Sequence, residues 1–206
     1  MIRNLLFDLG GVITDIRRQD CERAFRALGF ADIGDYLGDY GQKGPFMAVE
    51  DGSITPPEFR REIRALIPGG NATDSQIDQA FSAFITGIPL RRLEELEALR
   101  SRYRLYVVSN TNPIMWDGII ARLFAQRPGK RREDYFDGMV TSFEAGCAKP
   151  DPGIFRLVER KFGIRPDETL FYDDSEANCR AAEALGFHSC HVAPGTEFYQ
   201  HLPAMP

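Results

Sequence analysis

The tightest constraint on this 206-residue chain is a set of strand-length apolar runs that show no alternation. "NLLFD" starts at Asn4, "RLYVVSN" fills 104–110 and "TLFYDD" fills 169–174, with weaker runs "DGMVTS" at 137–142 and "HSCHVA" at 188–193. A strand with one wet face alternates apolar and polar residues, whereas a strand buried on both faces does not. Such runs therefore predict a parallel sheet covered on both sides. The segments between them have helical patterns with clear ends. "PLRRLEELEALRSR" places Leu90, Leu93, Leu96 and Leu99 at three-residue spacing. "NPIMWDGIIARLF" opens with Asn112 as N-cap and Pro113 behind it, and "DPGIFRLVERKFG" opens likewise with Asp151 and Pro152 and stops near Gly163. "SEANCRAAEALG" opens with Ser175 and stops at Gly186. Strand–helix alternation from residue 88 onward predicts an α/β fold with a doubly wound parallel sheet.

Residues 15–87 break that alternation. "QDCERAFRALGF", "SITPPEFRREIRALI" and "DSQIDQAFSAFI" read as three helices. Thr55 and Glu58 form a capping box around Pro56, and Asp74 or Ser75 caps the third helix. No strand signal interrupts them. The expected organisation is a discontinuous core of 1–14 plus 88–206, with a small helical-bundle cap at 15–87.

Composition narrows the function classes. A net charge of −5 argues against a nucleic-acid partner, whose phosphates favour a basic surface. The basic stretch "RPGKRRED" at 127–134 reads as a solvated loop, or else as a patch steering an anionic ligand. No apolar run approaches the ~20 residues needed to cross a bilayer, so no membrane partner is expected. The N-terminus is too acidic for a signal peptide. The four cysteines have no CxxC spacing, which fits a reduced, cytoplasmic chain. The three histidines read as structural or surface residues rather than metal ligands.

In open α/β sheets ligands bind beyond the carboxyl ends of the strands. The first run delivers Asp8 there, followed by Gly10 and Gly11. The second delivers Ser109 and Asn110, the turn before "KPDPGIF" delivers Lys149, and "TLFYDD" delivers Asp173 and Asp174. Converging carboxylates repel unless a cation joins them, and an all-oxygen donor set suits Mg2+. Magnesium keeps waters and meets substrate phosphates. Lys149 is expected to neutralise a phosphate and steady a carboxylate. Ser109 and Asn110 are expected to donate hydrogen bonds to phosphate oxygens. Gly10 and Gly11 let backbone amides approach the same phosphate. Asp8 is left as the nucleophile, giving an aspartyl-phosphate that water hydrolyses.

In this order the motifs resemble those of the haloacid dehalogenase superfamily of Rossmann-like hydrolases, in the branch with a small helical cap after strand one. "FDLGGVI", "VVSNT", "AKPDPGIF" and "LFYDDSEAN" match its four motifs, and "GSITPPEF" matches a cap stretch of that branch. The resemblance covers nearly the whole chain. It implies Asp8 as nucleophile, Ser109 as phosphate ligand and Lys149 as charge-balancing lysine. It also implies that Asp174 binds magnesium with Asp8 and the Gly10 carbonyl, and that Asp173 stands one shell further out. Asn178 occupies a position often held by another acid.

The departure is Gly10. Most phosphatases of the superfamily carry a second Asp there as general acid and base, a role worth roughly 10²–10⁴ in rate, or about 3–5 kcal/mol of barrier. Members with an FDLGNV-type first motif resemble this chain closely and include sugar-phosphate phosphatases, notably on glucose 1-phosphate, whose leaving group eases the missing acid. Asp15, at the cap hinge, is the candidate substitute.

The leading expectation is a magnesium-dependent phosphatase on a small phosphorylated metabolite, with a sugar phosphate as the first choice. Two alternatives stand beside it: a non-catalytic binding protein of the same fold, and a haloacid dehalogenase, for which the Asp173–Asp174 pair has little use. Specificity is assigned to the cap and to loops around 41–52 and 126–136. There Gly38, Gly41 and Gly44 suggest a loop facing the site, with Phe46 and Met47 as lid residues.

Overall fold

The computed structural model describes residues 1–38 and 41–203. Strand β1 (Asn4–Phe7) leads to a two-residue strand β2 (Asp15–Ile16) and into helices α1 (Arg18–Ala27), α2 (Pro45–Glu50), α3 (Pro56–Leu66) and α4 (Asp74–Ser82). Strand β3 (Ile85–Gly87) returns the chain to α5 (Leu90–Leu99) and β4 (Arg104–Ser109). Helices α6 (Pro113–Met115) and α7 (Ala121–Phe124) flank a π turn at Trp116–Ile120. Then follow β5 (Gly138–Thr141), α8 (Ser142–Ala145), α9 (Pro152–Phe162), β6 (Thr169–Asp173), α10 (Glu176–Glu183) and β7 (His188–His191).

The main sheet has the order β5-β4-β1-β6-β7, and every pairing in it is parallel. β1 lies at the centre, with β4 on one side and β6 on the other. The strand order therefore reverses at β1, and the residue after it stands at the switch point of the sheet.

Neighbouring residues of β1 point to opposite faces, and both faces are packed. Leu5 and Phe7 belong to a cluster with Leu105, Val107, Tyr172 and Leu93, Leu96 and Leu99 of α5. Leu6 belongs to a second cluster with Val108, Phe171 and Ile154, Phe155 and Val158 of α9. The non-alternating runs follow from this, because both faces of the sheet are dry.

The cap is built around phenylalanine. α1 to α4 each supply one fully or almost fully buried ring: Phe25, Phe46, Phe59 and Phe81. Phe46 is the hub, with centroids 5.4, 5.2 and 5.0 Å from Phe25, Phe59 and Phe81. Edge-to-face pairs of this kind add about 0.5–1.5 kcal/mol each beyond burial. The Thr55–Glu58 capping box starts α3, the Thr55 amide donating to Glu58 Oε2 at 2.8 Å.

Four local expectations need correction. The cap segment is not strand-free, because Asp15 pairs with Gly87 and Ile16 with Ile85 in an antiparallel ribbon. Strands of two and three residues are too short to show a period. Thr73, not Asp74 or Ser75, caps α4, its Oγ1 accepting from the Gln76 amide at 3.2 Å within a capping box. The helix that Asn112 caps does not run unbroken to Phe124, because the π turn interrupts it. At α10 Ser175 holds the N-cap position, but its side chain caps nothing. Among the described residues no helix is long and apolar enough to cross a membrane.

Candidate active site

The carboxyl ends of β1, β4 and β6 open under the cap into a cleft with a cavity of about 100 Å³. Asp8, Gly10, Ser109, Asn110, Lys149 and Asp174 form its core side, with Thr14, Thr111, Met115, Ile120 and Asn178. Gln42, Glu50, Phe81, Phe84 and Ile85 close it from the cap side. Asp173 and Gly11 stand just behind that wall.

Asp8 follows β1 directly, and its amide still donates to Tyr172 O of β6 at 2.9 Å. The chain then turns on a single carbonyl: Leu9 O accepts from the amides of Val12, Ile13 and Thr14 at 3.3, 2.8 and 2.7 Å. Gly11 holds φ +72° in this turn, and a Cβ there would overlap the Asp174 carboxylate. Both the backbone and the space require glycine. Gly10 differs, because it has no left-handed φ and a Cβ would sit 3.6 Å from Ile16 Cγ2, an ordinary contact.

Lys149 links two of the acids. Its Nζ lies 2.9 Å from Asp8 Oδ1 and 2.7 Å from Asp173 Oδ2, with the side chain only 1% exposed. Asp173 is saturated: its Oδ1 also accepts from the Ser175 amide at 2.8 Å and from Asn178 Nδ2 at 3.0 Å. Asp8 Oδ1 also accepts from the Leu9 amide at 2.7 Å, while Oδ2 has no partner among the described residues. Burial alone would lower the Lys149 pKa, but the adjacent Asp173 and Asp8 carboxylates outweigh it and raise it. Burial pushes Asp8 up to about 7 despite Lys149, with Asp173 and Asp174 adding to the rise. Burial and then Asp173 push Asp174 up to about 6.

Carboxylate oxygens of Asp8, Asp173 and Asp174 lie within 4.8 Å of one another. This donor set is all oxygen and lacks positive charge on its open side, so it fits a hard divalent cation. Asp173 is already occupied, which leaves Asp8 and Asp174 with oxygen atoms free to hold an ion.

Asn110 lines the cleft, and one of its two Nδ2 hydrogens together with its Oδ1 ties down the Lys149 loop, which leaves the other hydrogen for a phosphate oxygen. Its Nδ2 donates to Lys149 O at 2.9 Å and its Oδ1 accepts from the Lys149 amide at 2.8 Å. The side chain fixes the loop that carries the lysine. Phe46 and Met47 are not lid residues: Phe46 is buried in the cap core and Met47 is 52% exposed. Gln42 and Glu50, one on each side of them, line the cleft instead. The loop around 126–136 contributes nothing to the cleft lining. Three of its basic residues are paired: Arg127 with Glu94 and Glu97 of α5, Lys130 with Glu97, and Arg132 with Asp117 and Glu133. Asp15 pairs with Arg92 at 2.8 Å in the hinge and does not line the cleft.

A parallel sheet, a helical cap and a carboxylate cluster at the switch point together define a class of hydrolase. The chain belongs to the haloacid dehalogenase-like hydrolases, whose family model matches residues 2–186. It is 36% identical over 202 residues to D-ribitol-5-phosphate phosphatase of Bacteroides thetaiotaomicron, covering 98% of this chain and 97% of that protein. A solved haloacid dehalogenase-family enzyme of Bacteroides thetaiotaomicron, in complex with magnesium and inorganic phosphate, superposes with a TM-score of 0.92. It shares 38% identity, over 98% of this chain and 100% of that one. A haloacid dehalogenase-like hydrolase of Porphyromonas gingivalis superposes at 0.89 with 36% identity, over 98% and 96%.

Proposed function

We propose that this protein is a magnesium-dependent phosphatase of small phosphorylated metabolites, with sugar-alcohol phosphates such as D-ribitol 5-phosphate as the first substrates to consider. The observation that carries this reading is the free Oδ2 of Asp8 beside a lysine and a second open carboxylate, in a cleft too small for a macromolecule. The similarity to a ribitol-5-phosphate phosphatase supports the substrate class. Asp8, Asp174 and the Gly10 carbonyl are the groups assigned to hold magnesium, which when bound neutralises phosphate charge.

In this reading the Ser109 hydroxyl and the backbone at Gly10 orient the phosphoryl group, whereas the Gly11 amide, expected to do the same, is engaged by Thr14 O at 2.9 Å and stands outside the cleft lining. Lys149 restrains Asp8 Oδ1 and so fixes the direction of Oδ2. Oδ2 attacks phosphorus, the bond to the ester oxygen breaks, and an aspartyl-phosphate forms. Water then attacks phosphorus, releasing phosphate and restoring Asp8. The phenylalanines and aliphatic side chains of the cap exclude bulk water from the cleft. A halide-displacing site has no use for the third carboxylate, and a pure binding site has none for the free nucleophile.

The test is phosphate release from pentitol and pentose 5-phosphates, hexose 6-phosphates and glucose 1-phosphate. Turnover is expected only with magnesium and is expected to be abolished in Asp8→Asn. Full turnover in excess EDTA, or in Asp8→Asn, overturns the reading.

A further inference from the structure

A primary alkyl phosphate leaves as an alkoxide, a poor leaving group that needs a proton. Gly10 supplies none. Asp15 is committed to Arg92 and does not line the cleft. One further carboxyl lines the cleft beside the cluster at Asp8: Glu50, the last residue of α2, carried by the cap. It makes no hydrogen bond or ion pair among the described residues. Phe81, Phe84, Ile85 and Ile120 line the same cleft, so the carboxyl shares it with a set of apolar side chains as well as with the polar core side. An ionised carboxylate in such surroundings is costly, so the neutral acid is favoured. Burial, with Asp51 adding, pushes its pKa up to about 8, which leaves it protonated at neutral pH.

We propose that Glu50 is the acid–base residue of this cleft, delivered by the cap in place of the side chain that Gly10 lacks. As the phosphorus–oxygen bond breaks, the Glu50 carboxyl gives its proton to the departing ester oxygen, and the alcohol leaves neutral. In the second step the Glu50 carboxylate takes a proton from the attacking water, whose oxygen joins phosphorus as the bond to Asp8 breaks. The carboxyl is thereby regenerated. Proton transfer is then available only when the cap covers the core, so an open site neither cleaves the ester nor spends the phosphoenzyme. This inference rests on the phosphatase reading above.

The experiment measures single-turnover rates of wild type and Glu50→Gln, with magnesium, on two esters. D-Ribitol 5-phosphate leaves as an alkoxide, and 4-nitrophenyl phosphate leaves as a stabilised aryl oxide that needs no proton. The expected result is a loss of about 10²–10⁴-fold on the alkyl ester, with nitrophenolate release kept within about threefold and KM little changed. An equal loss on both esters overturns the proposal, as does an unchanged alkyl rate. A rise in KM with kcat preserved also overturns it, because that marks a ligand of substrate hydroxyls. Glu50→Asp, which keeps the carboxyl and withdraws it by one methylene, carries the same test should the glutamine variant not fold. If wild type cleaves neither ester with magnesium, the phosphatase reading fails. If wild type cleaves both and the variants lose both alike, only the role of Glu50 fails.

Discussion

Lys149→Met removes one charge from the centre of the carboxylate cluster and keeps most of the apolar stem. The ammonium it deletes touches Asp8 Oδ1 at 2.9 Å and Asp173 Oδ2 at 2.7 Å, in a side chain 1% exposed. Taking one partner from a buried ion pair costs about 3–5 kcal/mol, because the charge left behind stays desolvated. Two features hold the cost near the lower end. Asp173 keeps its bonds from Ser175 and Asn178. Asp8 already titrates near 7 with the lysine present, so without it Asp8 takes up a proton at neutral pH rather than staying charged. A loss of about 3 kcal/mol in a domain of this size lowers Tm by about 6–12 °C. Thermal unfolding at pH 7 without magnesium reads this directly. Phosphate release is expected to fall by at least about 10²-fold, since Asp8 loses the group that orients it. A Tm within about 2 °C of wild type would refute the reasoning, because the lysine would then contribute no net stability to the cluster.

The two glycines after Asp8 are expected to respond oppositely. Gly11→Ala forces a side chain into a left-handed φ at about 1–2 kcal/mol and displaces Asp174, so magnesium-dependent activity is expected to collapse in a phosphate-release assay. Gly10→Ala meets only an ordinary contact with Ile16, so its Tm is expected within about 2 °C of wild type. Glu50 gives a pH signature in the metal-free protein. The unfolded chain releases its proton above 4.5 and the folded chain holds it up to about 8, so this group erodes stability as pH rises between the two. Glu50→Gln removes that erosion. Because the carboxyl is partly open to the cleft, the gain is set at about 1–2 kcal/mol near pH 9, with none near pH 4.5, measured by urea titration.

Much of the core side of the cleft could be read from the sequence because each residue there ends a run with a local signature. Asp8, Ser109 and Asp173–Asp174 stand where apolar strands stop, and the sheet order brings those ends together. Lys149 depends on a turn that its Pro-rich flank makes visible. Asn110 was harder to place, since Ser-Asn is ordinary turn chemistry and its bonds to the Lys149 peptide cross 39 residues. Glu50 and Gln42 carry no sequence signal, because the packing of the cap over the sheet, and not any period, brings them to the cleft. Phe46 and Met47 are ambiguous in sequence for the related reason that apolar residues in a loop-like stretch do not say whether they face a ligand or the cap's own core. The π turn at 116–120 contains Gly118, but an isolated glycine inside a helical pattern is tolerated and does not announce a π turn. The turn places Met115 and Ile120, five apart, in one cleft wall, which an unbroken α-helix does not do.

The ribbon of β2 and β3 has an evolutionary reading. The chain leaves the sheet domain at Asp15 and comes back at Gly87, its cross-strand partner, so the insertion begins and ends at nearly one point. Arg92 bolts that point down, binding Asp15 and the Ile13 carbonyl on one side and Glu197 on the other. From the sheet's side, everything between is a bead on a short stalk, and its length and content leave strand register untouched. That bead can be lengthened, trimmed or exchanged while Asp8 keeps its place at the end of β1. Cap residues that face the cleft, Gln42 and Glu50 among them, can then change without touching the pairing of β1 with β4 and β6.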